Sequence, residues 1–144
     1  MLVCDVNVLI AAYRADHPHH AGVFPWWDET LASGERIHVP DIVWVGFVRI
    51  VTSPRIFTVP STIGEACDFA EAVRAHPAYT GGWTSDATFS TFADMCRRDQ
   101  VSGNLVTDAW IAATALVMAA PVATLDRDFR RFNGLSIVEP YSPA

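Results

Sequence analysis

Lysine is absent from the 144 residues: all ten basic side chains are arginine, set against 16 acids for a formal net charge of -6. That balance excludes a globally basic nucleic-acid binder and leaves room only for a local arginine patch. Cysteine is scarce. Cys4, Cys67 and Cys96 lie far apart, are odd in number and form no CxxC pair, which argues against a disulfide framework or a zinc knuckle and fits a reducing compartment. Long apolar runs are missing too: the most apolar stretch, Ile111 to Leu125, is broken by Pro121 and falls short of the ~18 residues a membrane span needs. No basic residue precedes the first apolar run, which itself holds Asp5, the wrong pattern for a secretory signal. The expectation is a cytoplasmic protein with no membrane association. No GxGxxG, GxxxxGKS or GxSxG sequence occurs, so nucleotide-binding loops and a serine nucleophile elbow are not expected.

What the chain does have is a hydrophobic fraction of 51%, enough to exclude disorder and to bury a core within one domain spanning residues 1–144. Leu2 to Val6 is a short β-branched run that reads as a strand, followed at once by a helix from Asn7 to Tyr13. Pro25 marks the start of a helix through Trp26, Trp27 and Leu31 that Gly34 stops; Arg36 to Val39 reads as a second strand. Asp41 to Thr52 is helical, with Ile42, Val45, Val48 and Val51 spaced along one face. Thr62-Ile-Gly-Glu65 is a capping box for a helix to about Ala75. Further helices are expected from Asp86 to Asp99, with Phe89, Phe92, Ala93 and Cys96 inward, and from Leu105 to Ala120. Val122 to Thr124 and Leu135 to Val138 read as two more strands. Strands alternating with helices predict an α/β sandwich around a mostly parallel central sheet, in which ligands bind beyond the carboxyl ends of the strands.

That rule sorts the acids. Asp5 falls at the end of the first strand, Asp126 just past the third, and Asp108 in the first turn of the long helix. If the first and third strands are parallel neighbours, Asp5 and Asp126 meet at one sheet edge and Asp108 can join them. Three carboxylates so close repel one another, and a bound Mg²⁺ or Mn²⁺, which prefers hard oxygen ligands, relieves that repulsion. Each acid also has a purely structural reading. Asp5 or Asn7 would cap the first helix, Asp108 would answer a helix dipole, and Asp126 and Asp128 would cap a turn around Phe129 to Phe132.

Three motifs, in order, give the chain a kinship. Asp5-Val-Asn-Val-Leu-Ile10, Gly103-Asn-Leu-Val-Thr-Asp-Ala-Trp-Ile-Ala-Ala113 and Ala123-Thr-Leu-Asp-Arg-Asp-Phe-Arg-Arg-Phe132 resemble the PIN-domain nucleases, and more closely the VapC toxins of type II toxin–antitoxin pairs. The resemblance implies a PIN-like three-layer sandwich, Mg²⁺-dependent cleavage of structured RNA of the translation machinery, a cognate antitoxin that silences it, and a homodimer. By position it assigns the catalytic and metal-holding acids to Asp5, Asp108 and Asp126, with Asn7, Asn104, Thr107, Thr124 and Asp128 in support. One position departs. In the run Trp44-Val-Gly-Phe-Val-Arg49, Gly46 stands where relatives usually carry a glutamate. A three-acid site remains reasonable, because Mg²⁺ keeps several waters. The alternative is a module that binds antitoxin or RNA without cutting.

Arg127, Arg130 and Arg131, with Arg49 and Arg55, supply candidate phosphate contacts, since arginine forks hold phosphate bidentately. Structural pairing with surface acids is the competing reading. His17, His19 and His20 share one short loop with no distant ligand partners, so a solvated loop is expected rather than a closed zinc site. Trp44 and Trp110 are expected in the core; Trp26, Trp27 and Trp83 are candidates for a groove that takes an antitoxin helix. A phosphatase reading lacks the second aspartate of its DxDxT motif, which is Asn7 here.

Overall fold

The computed structural model describes residues 1–82 and 85–142. In chain order the elements are β1 (Leu2–Cys4), α1 (Val6–Tyr13), α2 (His20–Ala32), β2 (Ile37–His38), α3 (Asp41–Val51), α4 (Ile63–Ala75), α5 (Asp86–Asp99), α6 (Leu105–Val117), β3 (Val122–Ala123), a 3₁₀ turn (Arg127–Arg131) and β4 (Ile137–Val138). The strands form one sheet in the order β2-β1-β3-β4, and every pairing is parallel, with Val3 opposite both His38 and Val122. The sheet is short. What holds it is burial: Val3, Cys4, Ile37, Val122 and Ala123 are fully enclosed, as expected of parallel strands covered by helices.

The helices fall into two packing groups. α1 packs on α2 and α3, and α3 on α4; α5 pairs with α6, which lies against β1 and β3. The result is the α/β sandwich expected of the sequence. From β1 the chain steps one way to β2 and then crosses back over β1 to β3, so the connection reverses direction between β1 and β3. In open α/β sheets the crevice beyond such a reversal is where ligands bind.

Several sequence expectations need correction. The first strand stops at Cys4 rather than Val6, because the Asp5 side chain accepts a hydrogen bond from Val6 N and starts α1. α2 begins at His20, with Pro25 inside it; so near the helix start the proline removes one backbone bond, to the Ala21 carbonyl. On α3 the buried residues are Val43, Trp44, Phe47 and Val51, while Val45 is 68% exposed. The segment is apolar all round, so periodicity could not decide its face; the aromatic rings, which bury the largest areas, did. Phe47 meets Tyr13 edge-on at 5.4 Å and Trp44 at 5.9 Å. On α5, Thr88 and Met95 point inward and Phe89 is 59% exposed. α6 ends at Val117 rather than Ala120, because Ala119 takes a left-handed φ of 52° and the Ala120 N–H returns to the Ala115 carbonyl.

The capping box is present as read: Thr62 Oγ1 accepts from Glu65 N and Glu65 Oε1 from Thr62 N. Trp44 is buried and Trp110 half-buried against Phe92. Trp27 is also core, 5% exposed, so it lines no groove; Trp26 borders a shallow hollow with Leu2 and Glu35, and Trp83 lies outside the described residues. Among the described residues, no helix is long and apolar enough to cross a membrane.

Candidate active site

Two of the chain's acids, Asp5 and Asp126, leave neighbouring parallel strands where the sheet reverses. Asp5 follows β1 and is only 4% exposed. Its Oδ1 accepts from Val6 N at 2.7 Å and its Oδ2 from the Thr124 hydroxyl at 2.8 Å. Thr124 follows β3, is 1% exposed and acts as a hub: besides donating to Asp5, its Oγ1 accepts from Asp126 N at 3.0 Å and from Asn7 Nδ2 at 3.3 Å. Asn7 completes the lattice by accepting from Leu125 N at 3.1 Å through Oδ1. The first turn of α1 and the loop after β3 are therefore stitched together by two uncharged side chains. Register explains why they meet: Cys4 lies opposite Ala123, so the residues that leave both strands emerge side by side.

Electrostatics show the crowding. Burial pushes the Asp5 carboxyl above its ordinary 3.8, opposed by the bonds from Thr124 and Val6, and the Asp126 charge pushes it further. Asp108, in the first turn of α6, is pushed up to about 6, first by burial and then by the carboxylates of Asp5, Asp126 and Asp128; only Arg131 pulls the other way. The neighbouring Cys4 thiol is pushed up to about 12 by burial and by Asp5, which leaves it protonated and inert.

The structural and chemical readings of these acids turn out to be compatible. Asp5 does cap α1, and Asp126 Oδ1 accepts from Asp128 N to start the 3₁₀ turn. Among the described residues, no three His, Cys, Asp or Glu side chains converge as a ready ligand group. The donor set nonetheless suits a hard divalent cation. All three are carboxylates, each oxygen with lone pairs beyond those used here, and at Asp108 the neighbouring negative charges are opposed by Arg131.

The supporting candidates divide. Asn7 and Thr124 are built into the site. Asn104 and Thr107 are exposed; Asn104 precedes α6 but its side chain makes no capping bond. Arg130 is held by Glu139 at 2.5 Å, Arg131 acts on Asp108 and Asp99, and Arg49, Arg55 and Arg127 are exposed. Gly46 lies on α3 beside this site: a Cβ there would meet only Val6 Cγ2, at 3.8 Å. Asp41, the nearest acid on that helix, is exposed at its start and 3.8 Å from Arg74. The histidines do not form a loose solvated loop. His20 Nδ1 bonds the Ala11 carbonyl and His19 Nδ1 the Tyr141 hydroxyl. Sequence reasoning missed Tyr141; nothing in periodicity or motif marks it.

A short parallel sheet with a carboxylate cluster at its reversal point defines the class, a PIN domain: the family model of that description matches residues 2–135, and the chain belongs to that family. Within it the chain is 40% identical over 140 residues to Ribonuclease VapC31 of Mycobacterium tuberculosis, covering 97% of this chain and 99% of that one, which places it in the VapC branch. The fold resembles that of VapBC2 from Rickettsia felis bound to a DNA fragment from its promoter (TM-score 0.68, 14% identity, 95% of this chain and 96% of that one). It also resembles FitAcB from Neisseria gonorrhoeae (TM-score 0.66, 18% identity, 97% and 98%).

Proposed function

We propose that the chain is a Mg²⁺-dependent endoribonuclease, the toxin of a toxin–antitoxin pair, that cuts structured RNA of the translation machinery. The observation that supports this reading is the setting of Asp108, pushed up to about 6 first by burial and then by the nearby charges of Asp5 and Asp126. Asp5, Asp108 and Asp126 would hold the ion, which when bound supplies charge neutralisation at the phosphodiester and a water activated for attack. Thr124 fixes the rotamer of Asp5, and Asn7 fixes the loop that carries Asp126, so these two acids are oriented before substrate arrives. Arg131, whose charge acts on Asp108, stands beside them to hold phosphate oxygens.

Kinship supports the choice of RNA, since the similar Mycobacterium tuberculosis protein is named a ribonuclease. The antitoxin partner is supported by the Klebsiella pneumoniae toxin–antitoxin complex, which shares the fold at a TM-score of 0.64, and a homodimer by the apolar side chains of Val45 and Phe89 left exposed on α3 and α5. Purified protein should cleave RNA in Mg²⁺ or Mn²⁺, stop in EDTA, and fail as Asp5→Asn with its fold intact; undiminished cleavage by that variant overturns the mechanism.

Gly46 favours a second reading, a PIN-like module that binds RNA or antitoxin and does not cut. α3 passes Val6 with no side chain where an acid would have room. Cleavage that appears only in Gly46→Glu supports that reading, and robust cleavage by the unaltered chain refutes it.

A further inference from the structure

The loop that carries Asp126 has a second side. Its two neighbours, Leu125 and Arg127, form part of the wall of a small cavity of about 100 Å³ completed by His19, Glu139 and Tyr141. That volume is several times the ~10–15 Å³ that one water needs, and so has room for one phosphate group. Glu139 and Tyr141 lie outside the stretch matched by the PIN family model, so this cavity is built partly by residues that the family pattern does not specify.

The wall is fixed in place. Tyr141 lies flat on Gly22, where any Cβ would sit 2.4 Å from the ring. Its hydroxyl meets His19 Nδ1 at 2.5 Å, with the two rings edge-to-face at 5.6 Å. This pairing leaves one hydrogen donor over in either tautomer. When Nδ1 accepts from the phenol, the ring proton is on Nε2; when Nδ1 carries the proton, the phenol O–H is free. The cavity's one carboxylate, Glu139, is neutralised by Arg130, whereas Arg127 has no ion pair among the described residues. An uncommitted guanidinium, a spare neutral donor and a cancelled negative charge make a cavity suited to an anion, one residue away from a catalytic acid.

We infer that the His19–Tyr141–Arg127 cavity is a phosphate subsite that holds an RNA phosphodiester next to the one being cut. The inference rests on the nuclease reading for its ligand but not for its geometry. A strand laid across the loop places one phosphate at the acids and a neighbouring one here, so the subsite sets where the backbone lies. His19 and Tyr141 are positioning residues: they orient the RNA and touch no reacting atom.

The test is the affinity of the full chain for a short fluorescent single-stranded RNA in EDTA, where the strand stays whole, measured over a range of salt. Arg127→Ala should weaken binding about tenfold and lower the salt slope by about one, the signature of one lost phosphate contact. Tyr141→Phe, which removes only the hydroxyl, should weaken it about threefold with the slope unchanged, and should raise KM for cleavage while leaving kcat. Arg97→Ala, on the exposed end of α5, is the comparison. If Arg127→Ala and Tyr141→Phe bind as Arg97→Ala does, the subsite is refuted even where the unaltered chain cleaves RNA normally. If both weaken binding while no preparation cleaves RNA, the subsite stands and the nuclease reading falls.

Discussion

The two flanks of the carboxylate cluster are built in opposite ways. On the β3 flank, Thr124 and Asn7 make four hydrogen bonds that tie Asp5, Leu125 and Asp126 together. On the α3 flank, Gly46 faces Val6 with open space and no polar atom. One side is rigid and fully satisfied; the other is vacant and apolar. The difference teaches where this site gets its organisation: from a neutral hydroxyl on the loop after β3 and a neutral amide in the first turn of α1, and not from a ring of charges. Adding a charge to the vacant side and removing a hydroxyl from the built side should therefore have opposite consequences.

The largest effect is expected from Thr124→Val, which keeps the shape and deletes the hub. Loss of an orienting partner of this kind costs roughly 10–100-fold in metal affinity or activity. The Asp5 oxygen and the Asp126 N–H left unpaired in a buried site should lower stability by about 1–3 kcal/mol. RNA cleavage rates and urea unfolding measure the two parts; a variant with wild-type values in both would erase the contrast between the flanks. Next is Gly46→Glu. A fourth carboxylate should lower the Mg²⁺ concentration for half-maximal cleavage by about tenfold, roughly 1.4 kcal/mol, and an unchanged Mg²⁺ titration would show that the vacant side does not reach the ion.

Asp108→Asn has a smaller effect with a defined pH window. Folding raises the Asp108 pKa from 3.8 to about 6, so between those values the native state binds more protons than the unfolded chain. Its charge therefore costs stability as pH rises through that window. With discounting for partial exposure, the asparagine variant should be more stable by about 1 kcal/mol at pH 7 without metal, and the gain should vanish below about pH 4. Thermal melts across pH read it, and a gain that persists at pH 3 would show that charge is not the cause. The smallest effect is expected from Gly46→Ala. A Cβ meets only Val6 Cγ2 at 3.8 Å, so the mid-helix glycine penalty of about 0.5–1 kcal/mol should be recovered. That variant separates the cost of emptiness from the effect of charge in Gly46→Glu.

Much of this architecture was readable in advance, for physical reasons that differ by element. The alternation of strands and helices and the first turn of α6 were legible because β-branched runs and a helix start are local signals, and the pairing of β1 with β3 sets Asp5 and Asp126 just past neighbouring strands. The capping box at Thr62 and Glu65 was legible because its two bonds span only three residues. The inward face of α3 was not, since Val45 and Phe47 are both apolar and only packing ranks them. The start of α2 was not, because Pro25 is a breaker in most settings and near a helix start it removes just one bond. The role of Thr124 as a hub and the seat of Tyr141 on Gly22 lie in contacts between residues over a hundred positions apart, and no local pattern encodes those.

The strand order has a consequence in time. Polypeptides leave the ribosome N-terminus first, so β1 and Asp5 are exposed to solvent long before β3, Thr124 and Asp126 exist. Through most of translation the nascent chain carries an aspartate with no companions, and the cluster assembles only once residue 126 has been made and β3 slides in beside β1. The cluster is thus a late product of synthesis, absent from every shorter stretch of the growing chain.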